Sequence, residues 1–342
     1  MNVSIRPALA VLALFVLAGS CPGQKGNSTE ITVQQARDLV AKSQAGILDL
    51  NRLTTVSSEV ASELANQQTR LYLDGLKTLS PEVAEQLAKH RGQYLSLNGL
   101  TDLSTATSSA LANYHGELSL RGFSTLHINT LTPELAAVLA KLRVLKLDGV
   151  TAISSDIAAA LAKNRTLLEL NGLSNITVPV AAEFAKHEGV SLRLNGLTIL
   201  SVEVARELAN YRGRNLYLNG LTTLSPDVAE FLVQRKRDIL SLSGLTSLSP
   251  ETATALAQQQ SRLYLNGLRT LSLDVAVQLA KHRGDALAIG VTEISPEVAA
   301  ALAHYKGQSL YLGNLESLSL EVAAALADQP SPLFLDGLDT LS

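Results

Sequence analysis

Leucine recurs along most of this chain at intervals of 23 or 24 residues, and each recurrence opens the same pattern of apolar and polar positions. The first leucine of the pattern occupies these positions: Leu48, Leu71, Leu95, Leu118, Leu145, Leu168, Leu192, Leu216, Leu240, Leu263, Leu287, Leu310 and Leu333. Only the interval after Leu118 departs much, at 27 residues. A fixed period of this length is typical of a solenoid, which grows by adding copies of one supersecondary unit. Twelve complete copies and a truncated thirteenth are therefore predicted over residues 48–342.

Each copy begins with an alternation of period two, Leu-x-Leu, which predicts a short strand whose leucines point inward. In the copy that starts at Leu71, Tyr72 lies between two inward leucines and is predicted to face outward. An Asn or Asp follows, usually before a glycine, and this pair is typical of a strand end because glycine tolerates unusual backbone angles. These strand-end residues are Asn51, Asp74, Asn98, Asp148, Asn171, Asn195, Asn219, Asn266 and Asp336.

The second half of each copy has the signature of a helix. Ser or Thr occupies the predicted N-cap position in all twelve complete copies, where its side-chain oxygen accepts a backbone N–H. Proline often follows, as at Pro81, because its missing N–H costs nothing in the first turn. Val83, Leu87 and Ala88 then form an apolar stripe, and the small Ala allows neighbouring helices to approach closely. The N-cap residues are Ser57, Ser80, Ser104, Thr132, Ser154, Thr177, Ser201, Ser225, Ser249, Ser272, Ser295 and Ser319.

Together the two halves predict an α/β solenoid with short parallel strands on one face and helices on the other. The pattern Leu-x-Leu-x-Gly-Leu followed by a helix resembles the leucine-rich repeat family. Its Leu-x-Leu-Asn-Gly-Leu-Thr-x-Leu-Ser-Pro-Glu-Val-Ala form is similar to the divergent arrays of planctomycete-type bacterial envelope lipoproteins, and the resemblance covers about residues 31–342. Asn219 directly follows Leu218, whereas two residues separate these positions in the commoner repeat. The sequence therefore does not decide whether the Asn/Asp column forms the buried ladder typical of the family.

The two ends of the array differ. Residues 31–47 have a helical pattern in register with the later copies, Leu39 matching Leu64, and predict a half-copy that caps the N-terminal edge. At the other end the sequence given stops at Ser342, which has the N-cap position without a helix after it. We expect from this that the sequence is a truncated portion of a longer protein.

The N-terminus has the features of an export signal. Arg6 precedes an apolar run over residues 8–19, which is too short for a bilayer span of about 20 residues but fits a signal peptide. The run ends in Leu-Ala-Gly-Ser-Cys, which resembles the bacterial lipobox. The resemblance implies that residues 1–20 are removed, that Cys21 carries lipid, and that the protein is anchored in the bacterial cell envelope through a tether over residues 21–30. Ordinary secretion with an incidental cysteine is the alternative.

Composition excludes several classes of function. The formal charge of −3 becomes −4 without Arg6, because 27 basic residues then face 31 acidic ones, and such a balance argues against an electrostatic nucleic-acid binder. The single Cys excludes a disulfide framework and a thiolate metal cluster. There is no glycine-rich phosphate motif, no Gly-x-Ser-x-Gly and no His-Glu-x-x-His, so neither a cofactor, a metal nor a catalytic residue is predicted.

The histidines are predicted to be structural. His90, His187 and His282 each follow a Lys at a predicted helix C-terminus, where a positive charge suits the helix dipole. His115 and His304 have similar positions, and His127 falls in the irregular copy.

The outward strand position is the feature with functional promise, because it varies from copy to copy. This column is Asp49, Tyr72, Ser96, Ser119, Lys146, Glu169, Arg193, Tyr217, Ser241, Tyr264, Ala288, Tyr311 and Phe334. Exposed tyrosines are common in recognition surfaces. Tyrosine also simply suits an exposed strand position, which is the alternative explanation. The candidate partner-binding residues are Arg193, Tyr217, Tyr264, Tyr311 and Phe334.

Three functions fit these patterns. The first is a lipid-anchored, non-enzymatic scaffold that binds a protein or glycan partner through its strand face. The second is a structural envelope protein without a discrete ligand. The third is the sensor or targeting portion of a longer protein whose active part lies beyond Ser342. Variation along the outward column favours the first, since pure packing would keep the column uniform.

Overall fold

The computed structural model describes residues 29–43, 46–120, 131–234, 238–338 and 340–341. Within them the helices are α1 (Val33–Lys42), α2 (Ser58–Ala65), α3 (Pro81–Leu87), α4 (Thr105–Leu111), α5 (Pro133–Leu139), α6 (Ser155–Leu161), α7 (Val178–Ala185), α8 (Val202–Ala209), α9 (Pro226–Val233), α10 (Pro250–Leu256), α11 (Leu273–Leu279), α12 (Pro296–Leu302) and α13 (Leu320–Leu326). The strands are β1 (Ile47–Asp49), β2 (Arg70–Tyr72), β3 (Tyr94–Ser96), β4 (Glu117–Ser119), β5 (Val144–Lys146), β6 (Leu167–Glu169), β7 (Ser191–Arg193), β8 (Asn215–Tyr217), β9 (Ile239–Ser241), β10 (Arg262–Leu265), β11 (Ala286–Ile289), β12 (Leu310–Tyr311), β13 (Ser317–Leu318), β14 (Leu333–Phe334) and β15 (Thr340–Leu341).

The strands form one long parallel sheet in chain order, which confirms the predicted fold class. Thirteen strands from β1 to β14 lie side by side without any crossover, and β13 pairs separately with β15. Each strand pairs with its neighbour at matching repeat positions, so that Leu192 is opposite Leu216 and Leu216 is opposite Leu240. The helices lie between successive strands in the chain and pack on one another in the same order. The chain is therefore an α/β solenoid of the leucine-rich-repeat type.

The helix starts are as the sequence predicts. In eleven of the twelve complete copies the predicted Ser or Thr side chain accepts the backbone N–H three residues later, as Ser225 accepts from Val228 at 3.4 Å. Thr177 has the N-cap position of α7 but makes no such bond. Helix α1 packs against α2, and Arg37 donates to Glu63 across this contact at 2.8 Å.

The core lies between the sheet and the helices. The inward leucines Leu216 and Leu218 are fully buried, as is Leu208 of α8. A second alanine column, four residues after the N-cap, is buried more completely than the one that the sequence pattern singled out. Ala205 is at 0% exposure, against 7% for Ala209. The most deeply buried alanine is therefore one turn earlier in the helix than the pattern suggested.

The strand-end Asn/Asp column forms a ladder between copies. The side-chain oxygen of one copy accepts the backbone N–H of the same position in the next, as Asn171 accepts from Asn195 and Asn195 accepts from Asn219, both at 3.0 Å. Asn219 in turn accepts the N–H of Ser243 at 2.9 Å, so a serine continues the ladder where the Asn is missing. These side chains are half-buried, so the ladder satisfies backbone donors at the rim of the sheet, and is not enclosed in the core.

Three histidines stand inside the turns that lead from helix to strand. Each is buried and stacks on a buried tyrosine one copy later, with ring centroids 5.8 to 5.9 Å apart. The pairs are His90–Tyr114, His187–Tyr211 and His282–Tyr305. Burial lowers the pKa of His187 and of His282 to about 4, so these rings are neutral at physiological pH. The expectation that they serve as cations at helix ends is therefore wrong, whereas their structural role is borne out by the packing.

Candidate interaction surface

The outward column has the register that the sequence predicts. Arg193 is opposite Tyr217, Tyr217 is opposite Ser241, and Ser241 is opposite Tyr264. The series continues through Ala288 to Tyr311 and Phe334. The five candidate binding residues therefore lie in one row across strands β7 to β14. Successive strands set neighbouring positions about 5 Å apart, so tyrosines two strands apart are separated by about 10 Å.

Three half-buried tyrosines and the small residues between them form a surface that we call the tyrosine strip: Tyr217, Ser241, Tyr264, Ala288 and Tyr311. Ser241 is only 2% exposed and Ala288 only 8%, although both sit on the outward side of the sheet. The exposed surface of the strip therefore comes from its tyrosines, with the small residues recessed between them. Burial raises the pKa of Tyr264, with a smaller opposing effect of Arg262, so its hydroxyl stays protonated at neutral pH.

The strip has a cationic end and an aromatic end. At the first, the Arg193 guanidinium lies 5.0 Å from the centre of the Tyr217 ring, within range of a cation–π interaction. Arg193 also donates to Glu169 at 3.4 Å, and the Asn171 amide donates to the other oxygen of this buried carboxylate at 2.8 Å. At the other end, Tyr311 and Phe334 are stacked with centroids 4.4 Å apart.

A second outward column, which the sequence analysis missed, runs beside the first. Its members immediately precede the first inward leucine in the first eleven copies: Ile47, Arg70, Tyr94, Glu117, Val144, Leu167, Ser191, Asn215, Ile239, Arg262 and Ala286. The alternation of period two already placed this residue on the outward side, and extending the pattern back by one position would have found it.

The second column changes the charge arrangement of the face. Lys146 lies opposite Glu169 in the first column but forms its ion pair with Glu117 of the second column. Near the N-terminal end, Tyr72 and Tyr94 lie 5.3 Å apart, and the Arg70 guanidinium stands 5.9 Å from the Tyr94 ring. The face therefore has two aromatic regions, and the tyrosine strip is the longer of them.

Other predicted features bear less directly on the surface. Residues 1–28, with the signal and Cys21, lie outside the described residues, as do His127 and Ser342. His115 and His304 are exposed at helix ends. Among the described residues no group of three or more His, Cys, Asp or Glu side chains is placed to hold a metal ion. The longest described helix has ten residues, and none in that part of the chain is long and apolar enough to cross a bilayer.

Comparison with known proteins gives structural likeness only. No family model matches the sequence, and no curated protein matches it. A leucine-rich repeat protein of Leptospira interrogans is similar over 89% of this chain and 75% of its own, at 22% identity and a TM-score of 0.45. TLR13 from its complex with ssRNA13 matches over 87% and 44%, at 17% identity and a TM-score of 0.48. An internalin of Listeria monocytogenes matches over 91% and 89%, at 18% identity and a TM-score of 0.39. The fold assignment rests on the strand order and register of the chain itself.

Proposed function

We propose that this protein is a lipid-anchored, non-enzymatic repeat scaffold of the bacterial cell envelope that binds a protein or glycan through its strand face. The observation that carries the proposal is the tyrosine strip. Three half-exposed rings stand in one row, two strand spacings apart, with Arg193 at one end and Phe334 at the other. Residues at these positions are free to vary without disturbing the core, because the core is built from the inward leucines.

The rings are already held in place before a partner arrives. Tyr217 is stacked under Arg193, Tyr311 is stacked on Phe334, and Tyr264 is flanked by buried small residues. A partner therefore has little side-chain entropy to remove when it binds. Flat rings about 10 Å apart suit an extended ligand that lies across the strands, either a sugar chain or an extended peptide. Glu169 and Arg193 largely satisfy each other, so they are expected to affect partner choice more than affinity.

The anchoring part of the proposal rests on the N-terminal sequence. Arg6, the short apolar run over residues 8–19 and the lipobox-like ending before Cys21 support export and lipid attachment. A tether over residues 21–30 would leave the solenoid beside the membrane and its strand face accessible.

The test replaces Tyr217, Tyr264 and Tyr311 by Ala in one variant. Aromatic anchors often contribute about 2 kcal/mol or more each, so we expect binding of envelope proteins or envelope oligosaccharides to fall at least a hundredfold. Retention of partners by the immobilised array, followed by titration of each retained partner, measures this. The matched control removes Tyr72 and Tyr94, two half-buried tyrosines at the other end of the same face.

Circular dichroism first has to show that both variants are folded. Loss of binding in the strip variant with retention in the control supports the proposal. Unchanged affinity for every partner would contradict it, and the structural envelope role would then be the better explanation.

A further inference from the structure

A groove of about 560 Å³ runs between α11 and α12 on the helix side of the solenoid, away from the tyrosine strip. One wall is apolar: Leu273 and Val277, one turn apart on α11, are 46% and 41% exposed. Ala280, Ala300 and Ala301 also line the groove, and His304 lies at the end of α12. Two large apolar side chains thus face water along the same groove, where they would gain by contact with an apolar ligand.

The apolar wall is particular to this pair of helices. Val277 stands five residues after its N-cap, and the eleven other complete copies have Ala or a polar residue at that position, such as Glu85 or Arg206. Leu273 occupies the first helical position, where five copies have proline and three others have Val178, Val202 or Leu320, so Val277 is what distinguishes this wall. Repeat packing therefore does not require Val277, since the other copies fold without a large apolar residue at that position.

The groove is cationic at its other end. Lys281 and Arg283 follow the end of α11, and Lys306 follows α12. Among the described residues, neither Arg283 nor Lys306 forms an ion pair, and Lys281 donates only to the Gln278 amide oxygen, at 2.6 Å. Glu297, the one acidic residue in the lining, lies in the first turn of α12, at the opposite end. The apolar wall extends about 12 Å from Leu273 to Lys281, which is the rise of eight helical residues. The three positive charges lie at its end.

We propose that this groove binds a free single-chain amphiphile with a carboxylate head, the aliphatic chain along Leu273 and Val277 and the head beside Lys281, Arg283 and Lys306. The groove length fits a chain of roughly ten carbons. The cations select an anionic head over a neutral one, because the carboxylate replaces water in three positions that lack a negative partner. This site is independent of the tyrosine strip, which lies on the other face.

The chain contains a matched groove that should not bind. Between α3 and α4 a groove of about 960 Å³ likewise has two cations at its end, Lys89 and Arg91, with His115 in the place of Lys306. Its wall is polar, because Glu85 has the place of Val277 and Ser109 the place of Ala300. A carboxylate chain there would meet a like charge in place of an apolar contact.

The experiment is calorimetric titration of the full chain with dodecanoate below its micelle concentration, beside acetate and dodecyl maltoside. We expect one dodecanoate site, at least tenfold weaker binding of the maltoside, and no measurable binding of acetate. Along a series of carboxylates from six carbons upward, affinity should rise about twofold per methylene and level off near ten carbons, because an open groove buries each methylene only in part.

Two variants test the two ends of the groove. Val277→Glu gives this groove the wall residue of the matched groove and should weaken dodecanoate binding at least tenfold. The variant K281Q/R283Q/K306Q should weaken dodecanoate equally while leaving the maltoside unchanged. If Val277→Glu unfolds by circular dichroism, Val277→Ser replaces it. Conversely, Glu85→Val should create a second dodecanoate site and raise the stoichiometry towards two.

Dodecanoate affinity that Val277→Glu leaves unchanged would overturn the proposal, and so would acetate binding as tightly as dodecanoate. Vesicles of phosphatidylglycerol form a separate arm: if they bind the chain through Val277 while free dodecanoate does not, the surface recognises a membrane and the free-amphiphile assignment is wrong. The triple tyrosine variant should keep full dodecanoate affinity, so failure here and failure of the strand-face function are distinguishable.

Discussion

The buried aromatic rings of the turns depend on the residue two positions later. In the six copies with a buried His or Tyr in the turn, that residue is glycine: Gly92, Gly116, Gly189, Gly213, Gly284 and Gly307. A Cβ atom at Gly189 would lie 2.5 Å from the His187 ring nitrogen Nε2, so any larger residue there would displace the buried ring. Copies with an amide side chain in this position have Ser or Thr instead, as in Gln67 and Thr69. The amide leaves room for that side chain, which explains why the two positions change together.

The buried histidines make the solenoid sensitive to mild acid. His187 titrates near 6.5 when unfolded and at about 4 when folded, so protons bind the unfolded chain first as the pH falls. The contribution of the neutral His187 ring to the free energy of unfolding is therefore fully present above pH 6.5. It is lost progressively as the pH falls to about 4. Over that whole range the loss is on the order of 2–3 kcal/mol for this residue. We expect His187→Gln to flatten the decline measured by urea unfolding between pH 7.5 and 5.0.

Between pH 7.5 and 5.0 the effect of the buried histidines on stability can be measured separately from that of the carboxylates. The first-turn glutamates, such as Glu203, have a pKa lowered by hydrogen bonds at the helix start, so their contribution is lost only below about pH 4.5. His304→Gln is the control, because that ring is exposed at a helix end. An equal change of slope in both variants would mean that burial of His187 is not the cause.

At the scale of one copy, the inward leucine and the helix cap should contribute unequally. Leu218 is fully buried after β8, so Leu218→Ala should lower the free energy of unfolding by about 2–5 kcal/mol. Ser225 caps α9 with one hydrogen bond, and Ser225→Ala should lower it by only about 1 kcal/mol. Denaturant unfolding compares the two, and a smaller loss at Leu218 than at Ser225 would mean that the strand faces are assigned the wrong way round.

The structure supplies a matched control for the cap. Thr177 has the same position in α7 but makes no side-chain bond to the helix, so Thr177→Ala should cost much less than Ser225→Ala. Equal losses would indicate that the two substitutions act through helix propensity or packing, and not through the hydrogen bond.

The strands and helices of this protein could be predicted because each depends on a sequence pattern that spans only a few residues. An N-cap Ser such as Ser225 sits three residues from the N–H that it accepts, and Leu216 and Leu218 are two residues apart, in and just after one short strand. The ladder from Asn195 to Asn219 could not be decided in this way, because it joins residues 24 apart and depends on how closely successive copies stack. The same holds for His187, whose burial comes from Tyr211 in the next copy.

At the scale of the whole molecule, some features of the candidate surfaces follow from the repeat period, and others depend on contacts between copies. The row from Arg193 to Phe334 followed from the period alone, because equal positions in successive copies must share a face. The hydrogen bond from Ser241 to Asn219 and the pairing of Lys146 with Glu117 did not follow from it, since both depend on side chains from other copies. The groove beside Val277 likewise exists only where two helices meet.

The position of Cys21 determines how the whole solenoid would be held. Thirteen strands at spacings of about 4.8 Å give an array roughly 60 Å long, which the proposed tether over residues 21–30 would attach at one end. One acyl chain gives only marginal membrane binding, at about 0.8 kcal/mol per buried methylene, whereas the diacylation implied by the lipobox resemblance gives stable anchoring. We expect Cys21→Ser to leave unprocessed precursor, to abolish palmitate labelling and to move the protein out of the detergent phase. Labelling and partitioning that equal those of the unchanged protein would show that Cys21 carries no lipid, and would leave ordinary secretion as the route.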